Sequence, residues 1–496
     1  MNPSSSRGGQ IYLEHAQARG ILGEYTHKFS LEGPGGFAII YGPNGVGKTT
    51  FLELIDATIK VNGPSLIRIP FLDLSMSYST GHKVHVKREV RRAPGPVEEV
   101  SQVGDEYDDV DAEDVARSYE VVADPEIDTN DEIVVTISFT DPSGESTTWT
   151  YVDDGFENWA KNVSPFEKLD DDSWVHAKSG RIISESSLLE RYREFRKSHK
   201  PETSRPDSTI VNFFRSVPSL LIETQRLRQD PNRRPRYSSQ SDHASDTPRI
   251  FEEADVLKNN LRRRQMEHSR LSQQLDQEFP NRILDLRSDN GNLSLADVTE
   301  RYRMQEEFRE RLDQIYVRMR PRNVFQLGEN IGNLESSDQD WKLKVVDVSL
   351  VNTDRKMEPF QEIVNKIDIF ETMVNDLFLN KRVRVNDRDG LVVNKVDRRG
   401  NVGSRIPLDF LSSGEQHEII LLVDLLFRVK PNSLVMIDEP EISLHVDWQL
   451  SFMPNVKKIA KAVGFQMVIA THSPQIINSD WNRTYSLGEG SDDGCH

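Results

Sequence analysis

Residues 37–50 read FAIIYGPNGVGKTT: a short apolar run of strand character, a glycine-rich turn, and the opening of a helix pattern. The turn, Gly42-Pro43-Asn44-Gly45-Val46-Gly47-Lys48-Thr49, satisfies G-x-x-x-x-G-K-[ST] and lies between strand and helix, the context that motif needs. Glycines there let successive backbone N–H groups turn inward around phosphate oxygens. Lys48 then reaches the β- and γ-phosphates of a nucleotide, and the Thr49 hydroxyl is a ligand for Mg²⁺. Thr50 carries the cradle into the helix. A strand feeding such a turn belongs to a sheet covered on both faces, so the expected class is α/β.

Phosphate binding alone hydrolyses nothing, so acids are needed at the same sheet edge. Ser433-Leu434-Val435-Met436-Ile437-Asp438-Glu439-Pro440 is an apolar run of buried-strand type that ends in two acids. Asp438 is the candidate holder of Mg²⁺, directly or through water, and Glu439 the candidate base for an attacking water. A third run, Gly464–Ser473, places His472 after another strand end, in reach of a γ-phosphate or a lytic water.

Residues 411–427, LSSGEQHEIILLVDLLF, begin as a turn and continue with Leu421, Leu422, Leu425 and Leu426 at helical spacing. The free N–H groups and dipole of such a helix start favour an anion, so Ser413, Gly414 and Glu415 are expected near a phosphate supplied from elsewhere.

Composition narrows the surroundings. No apolar run approaches the eighteen residues of a membrane span, and MNPSSSRGGQ at the start lacks the apolar core of a signal peptide. The one cysteine, Cys495, excludes a disulfide framework and a cysteine-based zinc site. A soluble, cytoplasmic protein without membrane partners is expected. The net charge of −18 argues against a chain that coats nucleic acid with its whole surface. Fifteen carboxylates against one arginine between Glu98 and Glu132 are read as a solvated excursion.

Along the chain, residues 1–71 are expected to form an N-terminal lobe with the phosphate loop, and 72–180 a β-rich, acid-looped elaboration. HKVHVKREV and DEIVVTISF-TDPSGES-TTWTYV supply its ribbons, the latter through an Asp-Pro-Ser-Gly turn. Residues 181–358 are expected to be a helical insertion. Leu257, Leu261, His268, Leu271 and Leu275 mark one helical seam interrupted at Arg264, and Leu295–Tyr316 a second, each about 25 residues long. Residues 229–249, rich in Pro, Ser, Arg and Asp, are read as a loop. Residues 359–496 complete the C-terminal lobe, starting with a helix through Phe360, Ile363, Val364, Ile367 and Phe370, followed by the strand–turn–strand VRVNDRDGLVV.

The phosphate loop, LSSGEQ, IDEPEISLH and THS, in that order, resemble the ABC-type ATPases, more narrowly the branch of OLD-like, RecF-like and SMC-like ATPases. IDEPEISLHVDWQ with THSPQII is most similar to the OLD-like ATPase subunits of bacterial phage-defence systems such as PARIS and Septu. The specific matches cover residues 11–60 and 405–480. The resemblance implies an ATPase head with a β-rich elaboration and a short coiled-coil insertion, using ATP and Mg²⁺. It implies that Ser413 and Gly414 contact the γ-phosphate of ATP held by a second copy, that Glu439 is the catalytic base, that Ser443-Leu444-His445 crosses the dimer interface, and that His472 is the switch histidine. For the glutamine that senses Mg²⁺ and water the candidate is Gln225, with Arg226 as the alternative; an adenine-stacking aromatic is Tyr12 or Tyr25. Only residues 473–496 follow the switch histidine here, which leaves no room for the Toprim nuclease domain of single-chain OLD proteins.

The expected function is therefore an ATPase whose heads dimerise around ATP and gate a separate effector, a nuclease, in anti-phage defence. The alternative is an SMC- or RecF-like DNA-binding ATPase, with Arg226, Arg228, Arg233, Arg234, Arg236 and Arg262–Arg264 on phosphates. A transporter motor fits least, because roughly 360 residues separate phosphate loop and signature.

Overall fold

The computed structural model describes residues 11–91, 132–152, 166–169, 173–176, 181–184, 187–188, 191, 205–223, 249–284, 295–317, 339–442, 444 and 446–487. The acidic stretch up to Asp131, Gln225, Arg226, the loop before Arg249, Ser443, His445 and Cys495 lie outside them. The chain divides into two compact units, one drawn from Met1–Glu223, Lys430–Pro440 and Gly464–His496, the other from Thr224–Val429 and Glu441–Val463.

The first unit opens with β1 (Leu13–Ile21), β2 (Tyr25–Ser30) and β3 (Phe37–Tyr41), then α1 (Lys48–Ile59) and α2 (Gly63–Arg68). β4 (Asp73–Tyr78), β5 (Lys83–Arg91), β6 (Glu132–Thr140) and β7 (Ser146–Val152) follow, then the short β8 (Phe166–Lys168), β9 (Ser173–His176) and β10 (Ile182–Ser184). α3 (Ser208–Ser216) and β11 (Ser219–Ile222) end its first pass. The second unit holds α4 (Arg249–Leu284), α5 (Leu295–Ile315), α6 (Gln339–Leu377), β12 (Lys381–Asn386), β13 (Gly390–Val396), β14 (Val402–Ile406) and α7 (Ser413–Val423). The chain returns to the first unit for β15 (Leu434–Asp438), leaves it for α8 (Val446–Val463), and finishes there with β16 (Gln466–Thr471), α9 (Pro474–Ile477) and β17 (Thr484–Ser486).

Two sheets build the first unit. The central one is ordered β11-β15-β16-β3-β17, and every neighbouring pair is parallel. Its inner strands β15 and β16 are buried along their whole length, as a sheet covered on both faces requires. The other is antiparallel, β2-β1-β4-β5-β6-β7, and its strands alternate buried and exposed residues as one-sided burial demands. α1 lies in the shared core, where Phe51, Leu52, Leu54 and Ile55 pack with residues of both sheets; burying Phe51 alone contributes about 2–3 kcal/mol. Gln466 ties the two sheets: its amide oxygen accepts from Leu13 N–H at 2.9 Å while its Nε2 donates to the Leu13 and Gly33 carbonyls. The class is thus α/β, with a parallel central sheet and a β-rich elaboration. The β6–β7 hairpin turns where expected, Asp141 Oδ1 accepting from the backbone N–H groups of Ser143 and Glu145.

The second unit is mainly helical. α4 and α5 both pack on α6, whose course starts at Gln339, well before the helix expected from residue 359. One expectation about α4 is corrected: it is 36 residues long rather than about 25. The apolar seam is interrupted at Arg264 as expected, its guanidinium reaching Glu267 on its own helix and Glu362 on α6. His268 takes its place in the seam, its ring against Phe360 and its Nδ1 at 2.8 Å from the Lys356 carbonyl oxygen. A further correction concerns 181–358, expected to be helical: β10 and β11 both fall within it, and β11 pairs with β15 in the central sheet. Residues 359–496 contribute to both units. Among the described residues no helix is long and apolar enough to cross a membrane.

Candidate functional site

Parallel register brings the chemistry to one edge. Asp438 on β15 is level with Ala470 on β16, and Thr471 on β16 is level with Tyr41 on β3. The segments leaving those three ends are the phosphate loop from Gly42, Glu439-Pro440, and His472. Residues far apart in sequence therefore converge by strand pairing alone, at the carboxyl edge where open α/β sheets hold ligands.

The loop is shaped by its glycines. Gly45 and Gly47 hold φ of 85° and 84°, and Gly47 is the N-cap of α1. A Cβ on Gly47 would sit 2.6 Å from Ile21 Cγ2, and one on Gly42 2.6 Å from the Leu487 carbonyl oxygen, so both positions exclude a side chain. Pro43, Asn44 and Gly45 form an exposed crown, while Val46, Gly47 and Lys48 are buried beneath it; Thr50 is half-buried on α1.

Lys48 is only 5% exposed, and a buried ammonium requires acceptors. It donates to the carbonyls of Gly42 at 3.0 Å and Pro43 at 2.9 Å, and to His472 Nε2 at 2.5 Å. Lysine only donates, so Nε2 is the accepting nitrogen in this contact. Glu439 Oε1 lies 3.5 Å from the same nitrogen. Glu439 has φ of 44°, and its N–H donates to Ala470 at 2.8 Å, so a left-handed residue pinned to β16 turns its half-buried carboxylate out of the strand. For a non-glycine residue that conformation is strained, a cost associated with functional sites.

Thr49 Oγ1 donates to Asp438 Oδ2 at 2.8 Å. A hydroxyl and a carboxylate side by side are hard oxygen donors, the chemistry Mg²⁺ selects. The surroundings also favour a cation: burial raises the Glu53 pKa, and the neighbouring carboxylates of Glu223, Asp438 and Asp56 push it further the same way. Glu53, one helical turn beyond Thr49, was not singled out in the sequence; its i+4 spacing on α1 is the signal that finds it.

The signature segment lies in the second unit, at the start of α7. Ser412 is the N-cap, its Oγ accepting from Glu415 N–H, and the Glu415 carboxylate accepts from Ser412 N–H at 2.9 Å, a complete capping box. Gln416 N–H closes the first helical bond onto Ser412 O, which leaves the Ser413 and Gly414 N–H groups as the donors of this helix end. Glu415 is also held by Lys381 at 2.5 and 2.7 Å. Burial opposes its charge, but Lys381 and the Ser412 donors outweigh it and hold the carboxyl below its ordinary pKa. Glu415 thus acts on the cap, while Ser413 is exposed and Gly414 half-buried.

Of the other candidates, Leu444 is buried. Tyr25 stacks on His27, and Tyr12 pairs through its backbone with Ser79.

A family model described as AAA ATPase domain matches residues 26–477. The chain is 34% identical over 80 residues to the "Retron Ec83 probable ATPase" of Escherichia coli, an overlap of 14% of this chain and 14% of that relative. Among solved structures it is similar to the Smc head domain with an extended coiled coil bound to the C-terminal domain of ScpA from Pyrococcus furiosus, at 14% identity and a TM-score of 0.33, covering 94% of this chain and 91% of that one. It is also similar to the SMC head domain of Thermotoga maritima, at 11% identity and a TM-score of 0.29, covering 94% and 92%.

Proposed function

Because the chain belongs to the AAA ATPase domain family, we propose that it hydrolyses ATP at the Lys48–Glu439–His472 edge, with two copies closing around the nucleotide to gate a separate effector. The meeting of Lys48, His472 and Glu439 within 3.5 Å is the observation that carries this reading. A triphosphate seated on the loop draws the Lys48 ammonium from its carbonyl acceptors to the β- and γ-phosphates. Glu439 takes a proton from a water in line with the β–γ bond. The water oxygen bonds to phosphorus, the bond to the bridging oxygen breaks, and ADP leaves with that oxygen. His472, hydrogen-bonded to Lys48, orients the water or the γ-phosphate. Thr49 and Asp438 would hold Mg²⁺, which when bound neutralises charge on the transferred group.

The Ser413 and Gly414 N–H groups suit a γ-phosphate on another copy, because a helix N-terminus favours an anion. A setting in phage defence, with a nuclease as effector, is supported by the resemblance of IDEPEISLHVDWQ and THSPQII to the ATPase subunits of such systems.

Mixing two inactive variants tests pairing in trans. Lys48→Ala removes one half of the composite site and Gly414→Asp the other, so neither alone should turn over ATP, while an equimolar mixture should regain phosphate release. Two dead variants that stay dead when mixed rule out the trans site. A wild-type protein that releases no phosphate from Mg-ATP rules out the whole reading.

A further inference from the structure

The phosphate loop is braced from behind by a side chain that the hydrolysis scheme leaves unused. His27, in the middle of β2, is 0% exposed. Its Nε2 lies 2.6 Å from the Val46 carbonyl oxygen, inside the loop. Its ring is held between Tyr25, stacked at 5.9 Å, and Phe51 of α1, tilted at 5.6 Å. A carbonyl can only accept, so Nε2 carries the proton in this contact.

The direction of that carbonyl matters. In a trans peptide the C=O and the following N–H point to opposite sides, and the described chain has no cis bonds. Holding the Val46 oxygen back against β2 therefore turns the Gly47 N–H forward, away from the sheet. Gly47 has room for little else behind it, since a Cβ there would be 2.6 Å from Ile21 Cγ2 and 3.6 Å from His27 Nε2. An apolar side chain in the slot between Tyr25 and Phe51 would leave the buried Val46 carbonyl without this donor, and the peptide free to turn toward another.

We infer that His27 is a positioning residue for phosphate binding: its Nε2–H anchors the Val46 carbonyl so that the Gly47 N–H is presented to the polyphosphate of a nucleoside di- or triphosphate. This rests on the ATP site proposed above. Burial pushes the imidazole pKa down and the Lys48 ammonium adds to that, so a neutral ring with one proton to donate is the form available near neutral pH.

The test compares His27→Phe, which keeps a ring and loses the donor, with His27→Gln, whose amide N–H has similar reach. Fluorescent ATP and ADP analogues report affinity, steady-state assays separate KM from kcat, and thermal melting checks folding. His27→Phe should weaken both nucleotides by about tenfold and raise KM by a similar factor with kcat at saturating ATP little changed, and His27→Gln should recover most of the loss. If His27→Phe fails to fold, His27→Leu serves the same comparison. A folded donor-less variant with wild-type affinity, or a glutamine variant as weak as phenylalanine, overturns the assignment. Lys48→Ala separates the two readings. If it binds nucleotide as well as wild type, the ATP site itself is wrong and the role of His27 falls with it; if it is defective and His27→Phe is normal, only the role of His27 falls.

Discussion

Thr49 and Asp438 stand 389 positions apart and meet hydroxyl to carboxylate at 2.8 Å. Nothing local joins them. β3 delivers one and β15 the other, and β16 between them sets the register that makes the distance.

Replacing Asp438 by Asn keeps the shape and an acceptor for Thr49 but removes the charge that a divalent cation would meet. Turnover in Mg-ATP should drop by roughly a hundredfold or more, while nucleotide retention in EDTA stays near wild type. Phosphate release across a Mg²⁺ titration checks this; unchanged turnover would remove Asp438 from the metal site.

Glu439→Gln retains the side-chain volume and the left-handed turn set by the bond to Ala470. Loss of a general base costs about 10²–10⁴-fold, so ATP should bind but persist. Light scattering should then show an ATP-dependent increase in mass that wild type shows only briefly. A variant that hydrolyses at the wild-type rate would assign the base elsewhere.

Much of this was legible locally. The phosphate loop, the apolar strands ending in Asp438 and Thr471, and the capped start of α7 are each encoded within about ten neighbouring residues, and each forms where its pattern lies. His27 was not legible, because in sequence it is one alternating position of an antiparallel strand, and its role depends on a loop carbonyl nineteen residues away. Gln466 was hidden likewise, its partners Leu13 and Gly33 being fixed only when the two sheets pack. The interruption of the α4 seam at Arg264 was legible from its spacing, but its partner Glu362 was not, because that residue comes from another helix.

Lys381 neutralises Glu415, the acid in the first turn of α7, next to the Ser413 and Gly414 N–H groups. Lys381→Met should leave that charge to repel a phosphate at the same helix end. Because the pair is partly exposed, the effect should be modest, about a few-fold weaker ATP-dependent pairing with unaltered nucleotide binding by single copies. Analytical ultracentrifugation with and without ATP resolves the two, and Glu415→Gln in the same background should restore pairing.

Glu253, fully buried on α4, accepts two bonds from Arg428 and one from Arg249, and both arginines also reach Asp424 in the π-helical turn after α7. Arg428→Met strands buried carboxylates and should cost about 3–5 kcal/mol in urea unfolding. Pairing it with Glu253→Met should return much of that loss, since an apolar pair of similar volume needs no counter-charge. A double variant no better than the single would show that packing, not charge, accounts for the loss.

Glu418, one turn into α7, gives the helix a pH dependence. Burial, with Glu415 adding repulsion, pushes its pKa up to about 7 from an ordinary 4.5. A folded pKa above the unfolded one means the native state binds the extra proton. The stability from Glu418 is then complete below about pH 4.5 and is lost as pH rises through about 7. Glu418→Gln, neutral at every pH, should flatten that part of the curve and make the protein more stable than wild type at pH 8. Urea midpoints measured from pH 5 to 8 decide it: parallel curves for the two proteins would mean that Glu418 is charged in the folded state throughout.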